Sequence, residues 1–245
     1  MIKLVTFADD RMTISANKCA QSAIKQGADA YSIWTPNDLS PEFKETMADV
    51  LRHERGAGFY CWKPYIVHRE MCKLKDGDTL VYCDAGNEWV GDIRAAVKAI
   101  DEDILFFSNG WLHLDWCKFD CIEAILPKWI VHDPRSEKTL MEAKQVQAST
   151  FFIIVNSRTR SIMREWYAWS LMPDLIDNEP SEYPNVPTFQ EHRWDQSILC
   201  CLQIKYGYRL HWFPTTTAEH LKSQYPGDNY PVLLNHHRKR NHEWV

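Results

Sequence analysis

The stretch Thr79–Cys83, Thr-Leu-Val-Tyr-Cys, carries no charge, follows the turn Lys75-Asp76-Gly77-Asp78 and stops at an acid, Asp84. A short apolar run bounded in this way fits a strand buried in a sheet. Asp84 then stands at the strand's C-terminal end, the edge at which open α/β sheets bind ligands. Gly86 lets the backbone turn or a ligand come close, and Glu88 offers a second carboxylate. The local alternative is that Asp84 and Asn87 only shape a turn.

The rest of the chain reads as repeating βα units. "IKLVTFA" is a strand followed by the helix-like "ISANKCAQSAIKQG", stopped by Gly27; "DAYSIW" is a second strand, and "PEFKETMADVLRHERGAG" a helix with a glycine-containing loop. Pro64 fits a first helical turn, which puts Lys63 at a helix N-terminus, where free amides and an ammonium suit a phosphate. An ordinary surface lysine, or one paired with Glu70, is the alternative. Further on, "DILFFSNG" and "QVQASTFFIIVNS" read as strands, and "DWCKFDCIEAIL" and "SRTRSIMREWYAWSLM" as helices. Residues 173–188 hold four prolines, so a long irregular loop is expected there. Thr188 and Glu191 have capping-box spacing and Gly207 supplies a stop, so a helix is expected between them. On it His192, Asp195, Gln196 and Leu199 share a stripe, either a buried network or part of a site.

A chain of 245 residues fits one domain. Its 11 Trp, 10 Tyr and 10 Phe exceed a minimal core and leave room for a sugar- or base-stacking surface. A net charge of −5 without a long basic block does not suggest a nucleic-acid partner. The one basic cluster, "HHRKRN" at 236–241, is a solvated tail or a phosphate contact. No stretch is long and apolar enough to span a membrane, and "MIKLVTFADD" is too short in apolar residues for a signal peptide, so a cytoplasmic protein is expected. The eight cysteines are then mostly reduced thiols. A zinc site is not expected: Cys117 and Cys121 lack a second well-spaced pair, because Cys200 and Cys201 point to different sides of a helix.

Taken in order, "RGAGFYCWKPYIV", "GDTLVYCDAGNE", "WCKFD", "HRWDQSIL" and "NHHRKRN" resemble a family of glycosyltransferases of bacterial polysaccharide clusters and large viruses, including chlorella viruses. Asn87 stands where that family has cysteine, Cys117 where it has threonine, and Trp194 where it has a second histidine. A strand-end acid with a later Asp-Gln helix is more distantly similar to glycogenin-like transferases, although Tyr82 occupies the first position of their Asp-x-Asp motif.

The resemblance implies an α/β, single-domain GT-A (Rossmann-like) fold over 1–245. Its central sheet would be mostly parallel, mixed and flanked by helices, with a nucleotide-binding part to about 110 and an acceptor-side part beyond. It implies a nucleotide-sugar donor, carrying UDP or GDP, a glycan acceptor, and Mn²⁺ or Mg²⁺. Asp84 would be the principal metal ligand, Glu88 an indirect one, and His236 or His237 a further one. Thr6, Phe7 and Ala8 would line the nucleotide pocket, Arg55, Lys63 and Arg238 the diphosphate, and His192 the donor. Asp195 would contact the transferred sugar or activate the acceptor hydroxyl, with Gln196 alongside, in the cytoplasm of the cell or, for a virus, of its host. Residues 173–188 would form an acceptor-side lid. Lys118 and Asp120 match the pattern without an assigned role. A protein of the same fold that binds nucleotide-sugar or carbohydrate without turnover is the alternative. A nucleotidyltransferase is less favoured, because "ADDRMTIS" stands where a glycine-rich phosphate loop would be.

Overall fold

The computed structural model describes residues 1–99, 101–132 and 139–244. Its main sheet has six strands in the order β2-β1-β3-β6-β5-β7. These are β1 (Ile2–Phe7), β2 (Ala30–Trp34), β3 (Thr79–Cys83), β5 (Ile104–Leu112), β6 (Lys144–Ile154) and β7 (Leu210–Trp212). β1 pairs in parallel with β2 and β3, and β5 with β7; only β6 runs against its neighbours. The sheet is mixed, mostly parallel and flanked by helices, as the sequence leads one to expect.

All five residues of β3 are buried, and they alternate between two cores. Leu80 and Tyr82 face a core shared with α2 (Trp62–Met71), α3 (Phe119–Ile125), α4 (Ser157–Ser170) and α5 (Trp194–Tyr206). Val81 and Cys83 face a second core built on α1 (Thr13–Lys25) and on Trp89, Trp212 and Tyr230. A strand covered on both faces needs no polar alternation, which is why the run 79–83 has none. Beyond Asp84 the chain makes a small antiparallel sheet, β4 (Asn87–Trp89) with β8 (Leu234–His236), in the register Asn87↔His236. Among the described residues, no helix is long and apolar enough to cross a membrane.

Several elements differ from the sequence expectation. The helix expected after Thr188 starts at Trp194, because the preceding segment bonds elsewhere. Thr188 Oγ1 donates to Asp115 at 2.6 Å, Gln190 N to the Asp115 carbonyl at 2.7 Å and Arg193 N to the Trp116 carbonyl at 3.1 Å. His192 therefore precedes the helix rather than sharing a stripe on it. "PEFKETMADVL" forms two short helices, Pro41–Thr46 and Ala48–Leu51, and "DWCK" leads into α3 through a 3₁₀ turn at His113–Trp116. The basic segment 236–241 is no solvated tail: the amides of His237 and Arg238 both donate to the Gly86 carbonyl, at 3.0 and 2.9 Å. Residues 177–193 carry neither helix nor strand. Lys118 and Asp120 pin that loop, Lys118 through Asp177 at 3.0 Å and Asp120 through the amides of Glu182 and Tyr183 at 3.2 and 3.0 Å.

Candidate active site

At the C-terminal lip of β3, Asp84 and Tyr82 lie two residues apart and so point to the same side of the strand. Tyr82 Oη donates to Asp84 Oδ1 at 2.6 Å. The same oxygen lies 3.5 Å from Lys63 Nζ, which also forms an ion pair of 3.1 Å with Asp195 Oδ2. Lys63, in the first turn of α2, is 3 % exposed, and Asp195, in the first turn of α5, 2 %. Two helix starts thus deliver a cation and an acid beneath one strand end.

Burial by itself would pull the Lys63 ammonium down, but Asp195 and Asp84 outweigh it and hold the lysine charged. Burial raises Asp195 to about 6 against the opposing pull of Lys63. Asp84 differs, its side chain being 32 % exposed. With Oδ1 tied down, Oδ2 is the atom of this cluster open to a ligand. Ala148 on β6 braces the group from both sides, its carbonyl accepting from Lys63 Nζ at 3.2 Å and its amide donating to Gln196 Oε1 at 3.3 Å.

The backbone around this cluster is strained. Five non-glycine residues among those described have positive φ: Ala57, Phe59, Tyr60, Trp194 and Arg238. Left-handed backbone costs a side-chain-bearing residue about 1–2 kcal/mol. Ala57, Phe59 and Tyr60 fall in a continuous left-handed stretch with Gly56 and Gly58, just before α2; a Cβ on Gly58 would lie 2.9 Å from the Leu51 Cα. Tyr60 places its ring 5.0 Å from Lys63 Nζ, Phe59 stacks on Trp194 at 5.6 Å, and Trp194 immediately precedes Asp195. Arg238 crosses Gly86 so closely that a Cβ there would lie 3.0 Å from the Arg238 Cα. Strain gathered at one place, and held by surrounding structure, is a mark of a functional site.

Three arginines converge on the same mouth. Arg55 lies over Trp194 at 5.0 Å and Arg193 over Trp116 at 4.5 Å. Burial lowers the Arg193 pKa first, and the fields of Arg55 and Arg238 lower it further, against Glu191, which raises it. A guanidinium placed within the fields of two other arginines, and paired at 3.1 Å with Glu191 alone among the described acids, suits a polyanion. Past Arg193 the surface continues as Trp111, 44 % exposed and stacked on Trp116 at 4.5 Å. A side-chain amide row runs beside it: Gln196 and Asn109 both donate to Gln145 Oε1, at 2.8 and 3.1 Å.

The four expected metal donors fall on two sides. Asn87 and Glu88 are consecutive on β4 and face opposite ways. Asn87 Nδ2 donates to the Asp84 carbonyl at 3.0 Å, and its Oδ1 meets His236 Nδ1 at 2.6 Å, so Asp84 and His236 share one side. Burial lowers the His237 pKa, and Glu88 acts on that ring instead, opposing the shift. His236 is pushed down to about 4 by burial and by Arg238, so its ring is neutral. Arg238 Nε donates to His236 Nε2 at 2.5 Å, which marks that nitrogen as the lone-pair side. Both ring nitrogens of His236 are thus engaged, Nδ1 by Asn87 and Nε2 by Arg238, which leaves Asp84 Oδ2 as the donor on this side that fits a hard divalent cation, with the remaining positions left to phosphate oxygens.

No family model and no curated protein matches the sequence. Among solved structures, the chain is similar to the galactosyltransferase LgtC in complex with donor and acceptor sugar analogues, at 14 % identity and TM-score 0.48, over 96 % of this chain and 86 % of that one. It is similar to a glycosyltransferase involved in glycosylation of the major capsid of PBCV-1, at 11 % identity and TM-score 0.46, over 96 % and 93 %. It is also similar to mouse xyloside xylosyltransferase 1, at 8 % identity and TM-score 0.48, over 96 % and 97 %. Such distant likeness says nothing of substrate. The chemistry has to be read from the side chains.

Of the residues singled out in the sequence, the structure brings together Asp84, Lys63, Asp195, Gln196, Arg55, Arg238 and His236. Thr6, Phe7 and Ala8 are all buried, Phe7 stacked on Trp62 at 3.7 Å, so they back the end of β1, and Asp9 is the first partly exposed residue beyond it. His192 is buried with both ring nitrogens engaged, Nδ1 by the Lys118 amide at 3.2 Å and Nε2 by the Leu175 carbonyl at 2.9 Å. Burial, and then Lys118, push it down to about 3. Lys63 pairs with the two aspartates, whereas Glu70 takes Lys3 and Lys73 at 2.6 and 2.7 Å. Sequence reasoning missed Tyr82, Tyr60 and Arg193. The period of two along β3 was signal enough for Tyr82; nothing local marks Tyr60 or Arg193.

Proposed function

We propose that this protein transfers a glycosyl group from a nucleoside-diphosphate sugar to a hydroxyl of a glycan acceptor, with a divalent cation assisting. The observation that carries the reading is Asp84, pinned at the end of a buried strand by Lys63 and Tyr82, with three arginines converging above it. Breaking the donor's glycosidic bond leaves a diphosphate that gains negative charge, so fixed positive groups aimed at it lower the barrier. Arg55, Arg193 and Arg238 are the side chains suited to that diphosphate, being planar, always charged and able to bond two oxygens at once. Asp84 would hold a cation, with His236 able to join it once Arg238 leaves Nε2, and the cation when bound supplies neutralisation of the leaving group.

Asp195 is too enclosed in this structure to take a proton from an acceptor. Its burial supports a positioning role instead: it holds Lys63, and Lys63 holds Asp84 Oδ1. The stacked, exposed Trp111 and the Asn109–Gln145–Gln196 amide row suit a sugar ring and its hydroxyls, which supports a carbohydrate acceptor.

The test is purified protein with a panel of nucleotide-sugars and Mn²⁺ or Mg²⁺. Donor hydrolysis or transfer in the wild type, falling at least about a hundredfold in a folded Asp84→Ala variant, is expected. Donor binding without turnover in the presence of either cation would instead make this a nucleotide-sugar-binding protein.

A further inference from the structure

Away from the Asp84 cluster, three cysteines and a histidine meet in the core beneath α5. His113 comes from the 3₁₀ turn after β5, Cys117 from the residue closing that turn, Cys121 from α3 and Cys201 from α5. The ligand-capable atoms of His113, Cys117 and Cys201 lie within 4.8 Å of one another. His113 Nε2 is 3.4 Å from Cys201 Sγ, and Cys117 is within hydrogen-bond reach of both Cys121 and Cys201. Nothing here is exposed: His113, Cys121 and Cys201 have no accessible surface and Cys117 has 2 %. All four cysteines of this core, Cys200 included, are free thiols.

The histidines decide between two possible donor sets. Cys117 and Cys121 also lie within 4.8 Å of His192, but both nitrogens of His192 already have backbone partners. His113 is the reverse: Nε2 has only the Cys201 thiol, and Nδ1 is buried with no hydrogen-bond partner. An imidazole left this unsatisfied in a dry core costs free energy, and nothing else in the structure repays it.

We propose that His113, Cys117, Cys121 and Cys201 form a structural zinc site. Three thiolates and one imidazole make the closed, soft, four-donor set that selects Zn²⁺ over Mg²⁺ or Mn²⁺, so the site is distinct from the oxygen-lined lip at Asp84. Binding would replace three thiol protons, released to solvent, by one cation held on three Zn–S bonds and one Zn–N bond. Cys121, already beside Cys117, would leave the Leu175 carbonyl, to which its thiol now donates at 3.3 Å, and turn toward His113 and Cys201. The ion would tie the 113–117 turn and α3 to α5. The same turn supplies the Trp116 carbonyl, which accepts from Ser197 Oγ at 2.7 Å and Arg193 N at 3.1 Å, so zinc would fix the helix start that carries Asp195.

The experiment is metal analysis of full-length protein purified without a polyhistidine tag and dialysed against a weak chelator. Zinc stoichiometric with the chain is expected, retained in Cys200→Ser and Asp84→Ala and lost in Cys117→Ser and Cys201→Ser. Where those variants fail to fold, wild type refolded anaerobically with Co²⁺ should show the sulfur-to-cobalt charge-transfer band and the intense visible bands of a tetrahedral thiolate site. Folded wild-type protein that retains no zinc, or a cobalt spectrum of six-coordinate oxygen type, would overturn the proposal. Asp84→Ala separates the two sites, since it should abolish transfer while leaving the zinc content unchanged.

Discussion

Asp195 and Asp228 are the two buried aspartates among the described residues, and they are partnered in opposite ways. Asp228 accepts from the Trp212 amide at 2.5 Å, from Tyr230 Oη at 3.1 Å and from Arg209 at 3.3 Å, and meets His211 Nδ1 at 2.8 Å. Its carboxylate is fully enclosed and fully occupied, which is how a structural acid is kept. Asp195 has one cation against Oδ2, a neighbouring acid in reach of the same cation, and a pKa pushed up to about 6. A protein that needed Asp195 only for packing would have little reason to leave it so poorly satisfied. The contrast separates an acid that holds the fold from the acid to which the proposed function gives the positioning of Lys63 and Asp84.

Four measurements would break or sharpen this contrast. The largest effect should come from Asp228→Ala, which strands His211 Nδ1 and the Trp212 amide and takes one of two partners from Tyr230 and Arg209; a loss of about 3–5 kcal/mol in urea unfolding is expected. A loss as small as that of a surface substitution would remove Asp228 from its structural role.

Next is the pH dependence. Asp195 rises from 3.8 to about 6 on folding, so the folded state holds the proton more tightly. The stability this gives is complete below about pH 4 and is lost as pH rises through about 6, a difference of about 3 kcal/mol that stays lost above. Unfolding curves across that window should fall more steeply for wild type than for Asp195→Asn. Parallel curves would mean that Asp195 ionises freely.

Third, Asp195→Asn should slow transfer about tenfold, because a loosened Lys63 no longer fixes Asp84 Oδ1, while donor affinity, measured by calorimetry, falls less. Equal losses in both would return Asp195 to simple donor binding. The smallest effect should be that of Trp111→Ala, which removes a stacking surface and so raises the acceptor KM severalfold, while loss of its stack on Trp116 lowers stability by about 1 kcal/mol. An unaltered KM would move the acceptor elsewhere.

What the sequence made legible followed the range of the interactions. β3 and the acid on its lip were readable because an apolar run and its bounding turn lie within ten residues. Gly207 ended α5 as expected, at φ 72°, because a C-cap is local. The start of α5 was misread because Thr188 gives its hydroxyl to Asp115, a partner 73 residues away. β4 and β8 have three residues each and pair across 149 positions, leaving no periodicity to detect. The thiol cluster was hidden in the same way: Cys117 and Cys121 find their companion in Cys201, and spacing along a chain cannot display that. Thr6, Phe7 and Ala8 were expected to line a pocket because they end a strand, but Trp62 and Ala85 cover that side of it.

The docking of Arg238 across Gly86 has a consequence for how the protein matures. Motifs at 55, 84 and 195 leave the ribosome well before residue 238, so during synthesis these three meet around an unroofed cleft. A nascent chain would therefore be shaped but unable to grip a donor, and competence would arrive abruptly, with the closing clasp of the last basic segment.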